Sequence, residues 1–81
     1  MSGPSRTTMR RRVAEAGGYY SRQSGRWVLP GARDNLAPFS VETQWFDSLE
    51  QAYDVCDEHA ARVAEVIEFS RRESAWLRAN S

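Results

Sequence analysis

Residues 39–60 read FSVETQWFDSLEQAYDVCDEHA, and a change of period within them decides the fold. Up to Phe46, apolar and polar residues alternate, which is the period of a strand half buried against a core. From Asp47 onward, apolar residues recur every three or four positions, which is the period of a helix. The sequence therefore predicts a strand that leads directly into a helix.

The predicted helix runs from Asp47 to about Arg78. Ser48 has Gln51 three residues later, the spacing of a capping box, and Asp47 with Glu50 offers a second cap of the same kind. The charged residues of this segment share one face, which we expect to be solvated. The face predicted to be buried carries Leu49, Tyr53, Cys56, Ala60, Val63 and Ile67.

The strand before this helix is predicted to occupy residues 39–46. Its alternation assigns one set of side chains to the core and the other to solvent, and Phe46 then packs beside the helix cap. The core set is Phe39, Val41, Thr43 and Trp45, and the solvent set is Ser40, Glu42 and Gln44.

Ser24-Gly25 predicts a hairpin with a two-residue turn between strands at residues 19–23 and 26–29. In that register Gln23 lies opposite Arg26. The sheet face expected to meet the long helix carries Tyr20, Arg22, Trp27 and Leu29.

Ahead of the hairpin, residues 1–6 are predicted to form a flexible tail, and residues 7–81 a single small domain. Thr7 or Thr8 begins a short helix that ends at Ala16, before Gly17-Gly18. The whole pattern predicts an α+β fold: a three-stranded antiparallel β-sheet packed against a long C-terminal α-helix, with a short N-terminal helix in front.

The predicted long helix is longer than the predicted sheet. Strands of ordinary length span ~17–20 Å, whereas 30 helical residues span ~45 Å. Residues 69–77 therefore need another cover, which is either the short helix, a bend at residues 70–74, or a second subunit. The last alternative is a homodimer whose partner interface contains Phe69, Trp76 and Leu77.

Composition restricts the class of protein. Cys56 is the single cysteine among 81 residues, which excludes an internal disulfide and favours a reducing compartment. No apolar run resembles a signal core or reaches the ~18 residues of a membrane span. We therefore expect a cytoplasmic protein that does not enter a membrane.

The net charge is zero, yet the two halves differ. Residues 1–33 hold seven arginines and one acid, and residues 34–81 hold four arginines and ten acids. Either the halves neutralise one another, or the basic half meets an anionic partner and the acidic half a basic one. The absence of lysine is typical of a GC-rich genome, such as that of an actinobacterium or its phage.

The sequence predicts no catalytic residue, metal site or cofactor, and hence no enzyme. Cys56 and His59 are three residues apart, but no second cysteine or histidine exists to complete a zinc site. A thiol in the middle of a helix also lacks the environment that lowers its pKa. The carboxylates of the long helix have the spacing of an ordinary solvated face.

Arginines and aromatic residues of the basic half predict a nucleic-acid interface formed by a flexible basic arm and the hairpin. Glu42 lies on the sheet face that would approach phosphate. The alternative is a protein that binds itself or another protein through its long helix. The candidate nucleic-acid-binding residues are Arg10, Arg11, Arg12, Tyr19, Arg22, Arg26 and Arg33.

Trp27 and the run Trp45-Phe46-Asp47-Ser48, leading to Glu50, Ala52, Asp57 and Ala60, give residues 18–64 a family resemblance. This segment resembles the DNA-binding domain of plant ethylene-response factors and the arm-binding domains of phage integrases. The resemblance implies three strands and a helix that lay the sheet in the major groove, with Arg22, Arg26 and Arg33 as contacts. Gln44 stands where that family usually has glycine, and the present helix is longer.

Overall fold

A computed structural model describes residues 3–80. Its three strands form one antiparallel sheet in the order β1-β2-β3, flanked by a short N-terminal and a long C-terminal helix, so the predicted α+β fold is confirmed. The elements are α1 (Arg6–Glu15), β1 (Tyr19–Ser21), β2 (Arg26–Leu29), β3 (Gln44–Phe46) and α2 (Leu49–Ala79).

Helix α2 begins as its capping signal predicts and continues without interruption for 31 residues. The Ser48 hydroxyl accepts a hydrogen bond from the backbone N–H of Gln51 at 3.2 Å. The buried face is rotated slightly from the predicted one: Ile67 is 50% exposed, whereas His59 is buried. Its buried residues are Leu49, Ala52, Cys56, His59 and Val66.

Helix α1 is one or two residues longer at its start than predicted, and its cap is Ser5 rather than a threonine. The Ser5 hydroxyl accepts from the backbone N–H of Thr8 at 3.2 Å. The predicted tail therefore ends in an ordered helix at Arg6, while residues 1 and 2 lie outside the described part of the chain. The basic arm expected to be flexible is helical from Arg6 onward.

The two helices run in the same direction. Arg6 of α1 pairs with Glu50 of α2, and six residues later Arg12 pairs with Asp57. Met9, between these pairs, and Val13, next to Arg12, are buried. Both helix N-termini therefore lie at the same end of the molecule. The core that the helices share with the sheet consists of Met9, Val13, Leu29, Leu49, Ala52 and Cys56.

The hairpin has a four-residue connection, so the predicted two-residue turn is wrong. Ser21, not Gln23, lies opposite Arg26. Gly25 has φ +69° and donates its N–H to the Ser21 carbonyl at 2.8 Å, which closes the longer loop. The shift is two residues, an even number, so each side chain keeps its face. Trp27 and Leu29 pack toward the core as predicted.

Strand β3 is shorter than predicted and its faces are reversed. Trp45 lies opposite Val28, and Phe46 lies opposite Trp27. Because Trp27 faces the helices, Phe46 does too, and the Trp45 side chain points away from them with 55% of its surface exposed. Before β3, residues 30–43 form a long connection in which Ala32 and Val41 make an isolated bridge.

His59 joins this connection to α2. Its side chain is 4% exposed, and Nε2 donates to the backbone carbonyl of Pro30 at 2.9 Å, because a carbonyl oxygen can only accept. The next residue, Gly31, donates its N–H to the Thr43 hydroxyl at 3.0 Å. The connection is thus held against both α2 and the segment that leads into β3.

Replacing His59 by Phe is expected to lower the free energy of unfolding by about 1–3 kcal/mol, because the partly buried Pro30 carbonyl loses its donor. Thermal unfolding followed by circular dichroism measures the change. His59→Gln keeps an N–H donor and is the matched control, for which we expect a smaller loss. Equal stability of His59→Phe and the native chain would show that this bond contributes nothing.

The end of α2 projects beyond the rest of the fold, as predicted, and the molecule measures 55 × 30 × 15 Å. Helix α1 lies beside the first half of α2, and α2 stays helical through residues 70–74. Neither α1 nor a fold-back of the helix end therefore covers residues 69–77. Phe69 is half-buried and meets Phe39 edge to face at 6.3 Å. Trp76 and Leu77 are 60% and 46% exposed.

Candidate nucleic-acid interface

The sheet has one face packed on the helices and one open face. Across the open face the strand register sets Tyr19, Val28 and Trp45 in a row. Val28 in the middle is buried, whereas Tyr19 and Trp45 on either side are 53% and 55% exposed. Two strand spacings separate the outer residues, so their Cα atoms lie roughly 10 Å apart. We call these three residues the open sheet face.

Arginines border this face at the turn of the hairpin. Arg22 lies in the turn, exposed and without an ion pair among residues 3–80. Arg26 shares the open face and pairs with Asp47 at 3.3 Å, with 55% of its side chain still exposed. The N-termini of both helices lie at this same end, and their dipoles add positive potential to it. The hairpin end is therefore suited to an anion.

A groove of about 560 Å³ continues the open sheet face on its other side. Trp45 forms one wall, and Arg33 and Glu42 lie on the segments that border it. Arg33 is exposed and makes no ion pair within residues 3–80. The groove thus combines an aromatic ring with one cation and one carboxylate.

The arginines of α1 are divided between two sides of the helix. Arg12 donates to Asp57 at 2.6 Å, and this hydrogen bond raises the pKa of its guanidinium. Arg10 lies on the other side, in a groove of about 400 Å³ with Tyr20 and Trp27. Arg11 is exposed. Arg12 therefore forms an ion pair with α2, whereas Arg6 and Arg10 lie beside the hairpin.

The predicted residues do not form one patch. Tyr19 belongs to the open sheet face, and Arg22, Arg26 and Arg33 lie around it. Arg10, Arg11 and Arg12 lie on α1, which packs mainly on α2. Sequence reasoning missed Trp45, which it assigned to the core. The sequence signalled only that the adjacent aromatic residue, Phe46, could take the core position instead, and it did not decide between the two.

Cys56 and His59, the other residues considered for chemistry, are both buried. Burial raises the pKa of the Cys56 thiol, and neighbouring Asp57 raises it further, which disfavours the nucleophilic thiolate. The thiol donates to the Tyr53 carbonyl at 3.3 Å. His59 uses Nε2 to hold Pro30. Within residues 3–80, no three His, Cys, Asp or Glu side chains are grouped so that they could hold a metal ion.

Comparison of the chain with family models, with curated proteins and with solved structures returned no match. Of the helices in residues 3–80, neither combines the length and the apolar content that crossing a membrane requires.

Proposed function

We propose that this protein binds single-stranded nucleic acid through its open sheet face, without catalysis. The observation that carries the proposal is the exposure of Tyr19 and Trp45, two large aromatic side chains on one sheet face with arginines on both sides. Exposed aromatic rings stack on unpaired bases, and each stacked base contributes about 1–3 kcal/mol to binding. Arginines beside them contact the phosphates.

A single strand suits this surface better than a duplex. Base faces in a duplex are already stacked on each other, so exposed rings have no partner there. Arg26 is partly neutralised by Asp47, and Glu42 lies in the groove beside Trp45. Both carboxylates weaken attraction to the dense phosphates of duplex DNA. We further propose a cytoplasmic location, where the buried thiol of Cys56 stays reduced.

Fluorescence anisotropy with labelled single strands of mixed sequence tests the proposal. Tyr19→Ala with Trp45→Ala should reduce affinity about 30-fold or more, because two stacking contacts are lost. Arg22→Ala with Arg26→Ala should reduce it about tenfold and lower the slope of log affinity against log salt by about 1.4. Duplex DNA should bind more weakly than the single strand.

Arg62→Ala with Arg71→Ala is the matched control, because it removes the same charge from exposed positions on α2. This control should keep native affinity. If the control loses as much affinity as the variant that lacks Arg22 and Arg26, the attraction depends on net charge rather than on the open sheet face. If the variant that lacks Tyr19 and Trp45 binds as well as the native chain, stacking on this face is excluded.

A further inference from the structure

A second groove lies on the projecting part of α2. It has a volume of about 540 Å³ between α2 and the long connection. Ala61 and Ala64 form its floor, and the rings of Phe39 and Phe69 stand at its side. Helix α1 pairs with α2 at Glu50 and further along at Asp57, ahead of this groove, and so leaves it open.

Trp76 lies on the same face of the helix as this groove. Ala61, Glu65, Glu68, Arg72 and Trp76 follow one another at steps of four or three residues, which keeps them on one side of a helix. All five are exposed, and Trp76 at 60% is the most exposed large apolar side chain within residues 3–80. A groove and a bulky side chain that could fill a groove thus occupy one continuous face.

We infer that two copies of this chain associate through this face, with their α2 helices antiparallel and a two-fold axis at the level of Ser70 along the helix. Positions equally far from Ser70 then lie at the same level in the two copies. Trp76 of one copy is level with Ala64 and reaches the groove of the other. Such an interface is self-complementary, as a closed dimer requires.

The charges of this face agree with the antiparallel arrangement. Glu68 and Arg72 are two residues before and after Ser70, so each Glu68 faces the Arg72 of the other copy. Within one copy, Arg72 Nε already lies 3.2 Å from Glu68 Oε1. In the dimer the four charges alternate in sign around the axis. A parallel pair would instead set Glu68 against Glu68 and Arg72 against Arg72.

The indole supplies most of the apolar contact. A tryptophan side chain can bury roughly 150–250 Å², and its rigid ring loses little freedom on binding. The small side chains of Ala61 and Ala64 let the ring approach the partner's backbone. The dimer would leave both open sheet faces accessible, at opposite ends of the paired helices.

Sedimentation over a concentration series without nucleic acid tests this dimer independently of the proposed function. The native chain should form a species of twice its 9.2 kDa. Trp76→Ala should raise the dimer dissociation constant roughly 30-fold or more. Trp45→Ala is the matched control: it removes an equally exposed indole from the open sheet face and should leave the constant unchanged.

Charge reversal tests the antiparallel register. Glu68→Arg should weaken the dimer because the new arginine meets the partner's Arg72, and Arg72→Glu should weaken it by setting glutamates together. The double variant E68R/R72E restores opposite charges across the axis and should recover the dimer. A native chain that stays monomeric, or a double variant no better than either single one, would overturn the proposed interface.

Discussion

Gly31→Ala is expected to lower the free energy of unfolding by about 3 kcal/mol or more, because no other glycine within residues 3–80 leaves so little space for a methyl group. A Cβ at this position would overlap the Val41 carbonyl oxygen and lie 2.6 Å from the carbonyl carbon of Glu42 and 2.7 Å from the Thr43 nitrogen. All three are backbone atoms. They cannot move aside as the end of a flexible side chain can.

The added methyl group would therefore force apart the two segments that pair around residue 31. Gly31 has an ordinary negative-φ or extended backbone, so the cost arises from space alone. Displacing the segment would break the Gly31 bond to Thr43 and disturb the adjacent bridge between Ala32 and Val41. The wall of the groove beside Trp45 would move with it.

Thermal and urea unfolding of Gly31→Ala measure the effect, and the melting temperature should fall by more than about 12 °C. Gly3→Ala is the control, because nothing lies within 4 Å of a Cβ at that position. We expect that control to melt with the native chain. A Gly31→Ala protein of native stability would mean that the two segments are not in close contact in solution.

Leu29→Ala is the second change with a large expected effect. It should lower the free energy of unfolding by about 3–5 kcal/mol. Leu29 is completely buried and belongs to the core that joins β2 to both helices. Removing three carbon atoms there forfeits burial and leaves a cavity, since the sheet cannot collapse onto two helices already packed together. A domain of 81 residues is stable by only about 4–12 kcal/mol, so much of the chain would unfold near 37 °C.

Leu36→Ala removes the same atoms from a leucine that is 38% exposed in the long connection, and it should cost less than about 1 kcal/mol. Chemical denaturation of the two variants side by side gives the comparison. Similar losses for both would show that Leu29 is not at the centre of the core. A larger loss for Leu36→Ala would indicate that the connection carries more of the stability than its exposure implies.

Local patterns in the sequence were sufficient for the elements themselves. The Ser48 cap and the three- and four-residue spacing after it predict α2 correctly, because these interactions join residues within one turn of the same helix. Gly17-Gly18 likewise ends α1 near the expected residue. The projection of α2 follows from its length alone, since three short strands cannot cover a rod of that size.

The face of Trp45 was beyond local reasoning. Trp45 and Phe46 are both large and aromatic, and only one of two successive residues in a strand can meet the helices. The pairing of Phe46 with Trp27, a residue 19 positions earlier, makes that choice. The same holds for Arg12. The sequence places it in a basic arm, but in the folded chain it pairs with Asp57, 45 residues away.

The open sheet face therefore exists only in the folded chain. Composition supplies the arginines and aromatic residues, and local spacing supplies the strands and helices. Which of these side chains meet solvent depends on strand register and helix docking, and these are decided by the burial of Leu29, Leu49 and Val13 in one shared core. That burial joins residues far apart in sequence, so no single segment contains the information that determines it.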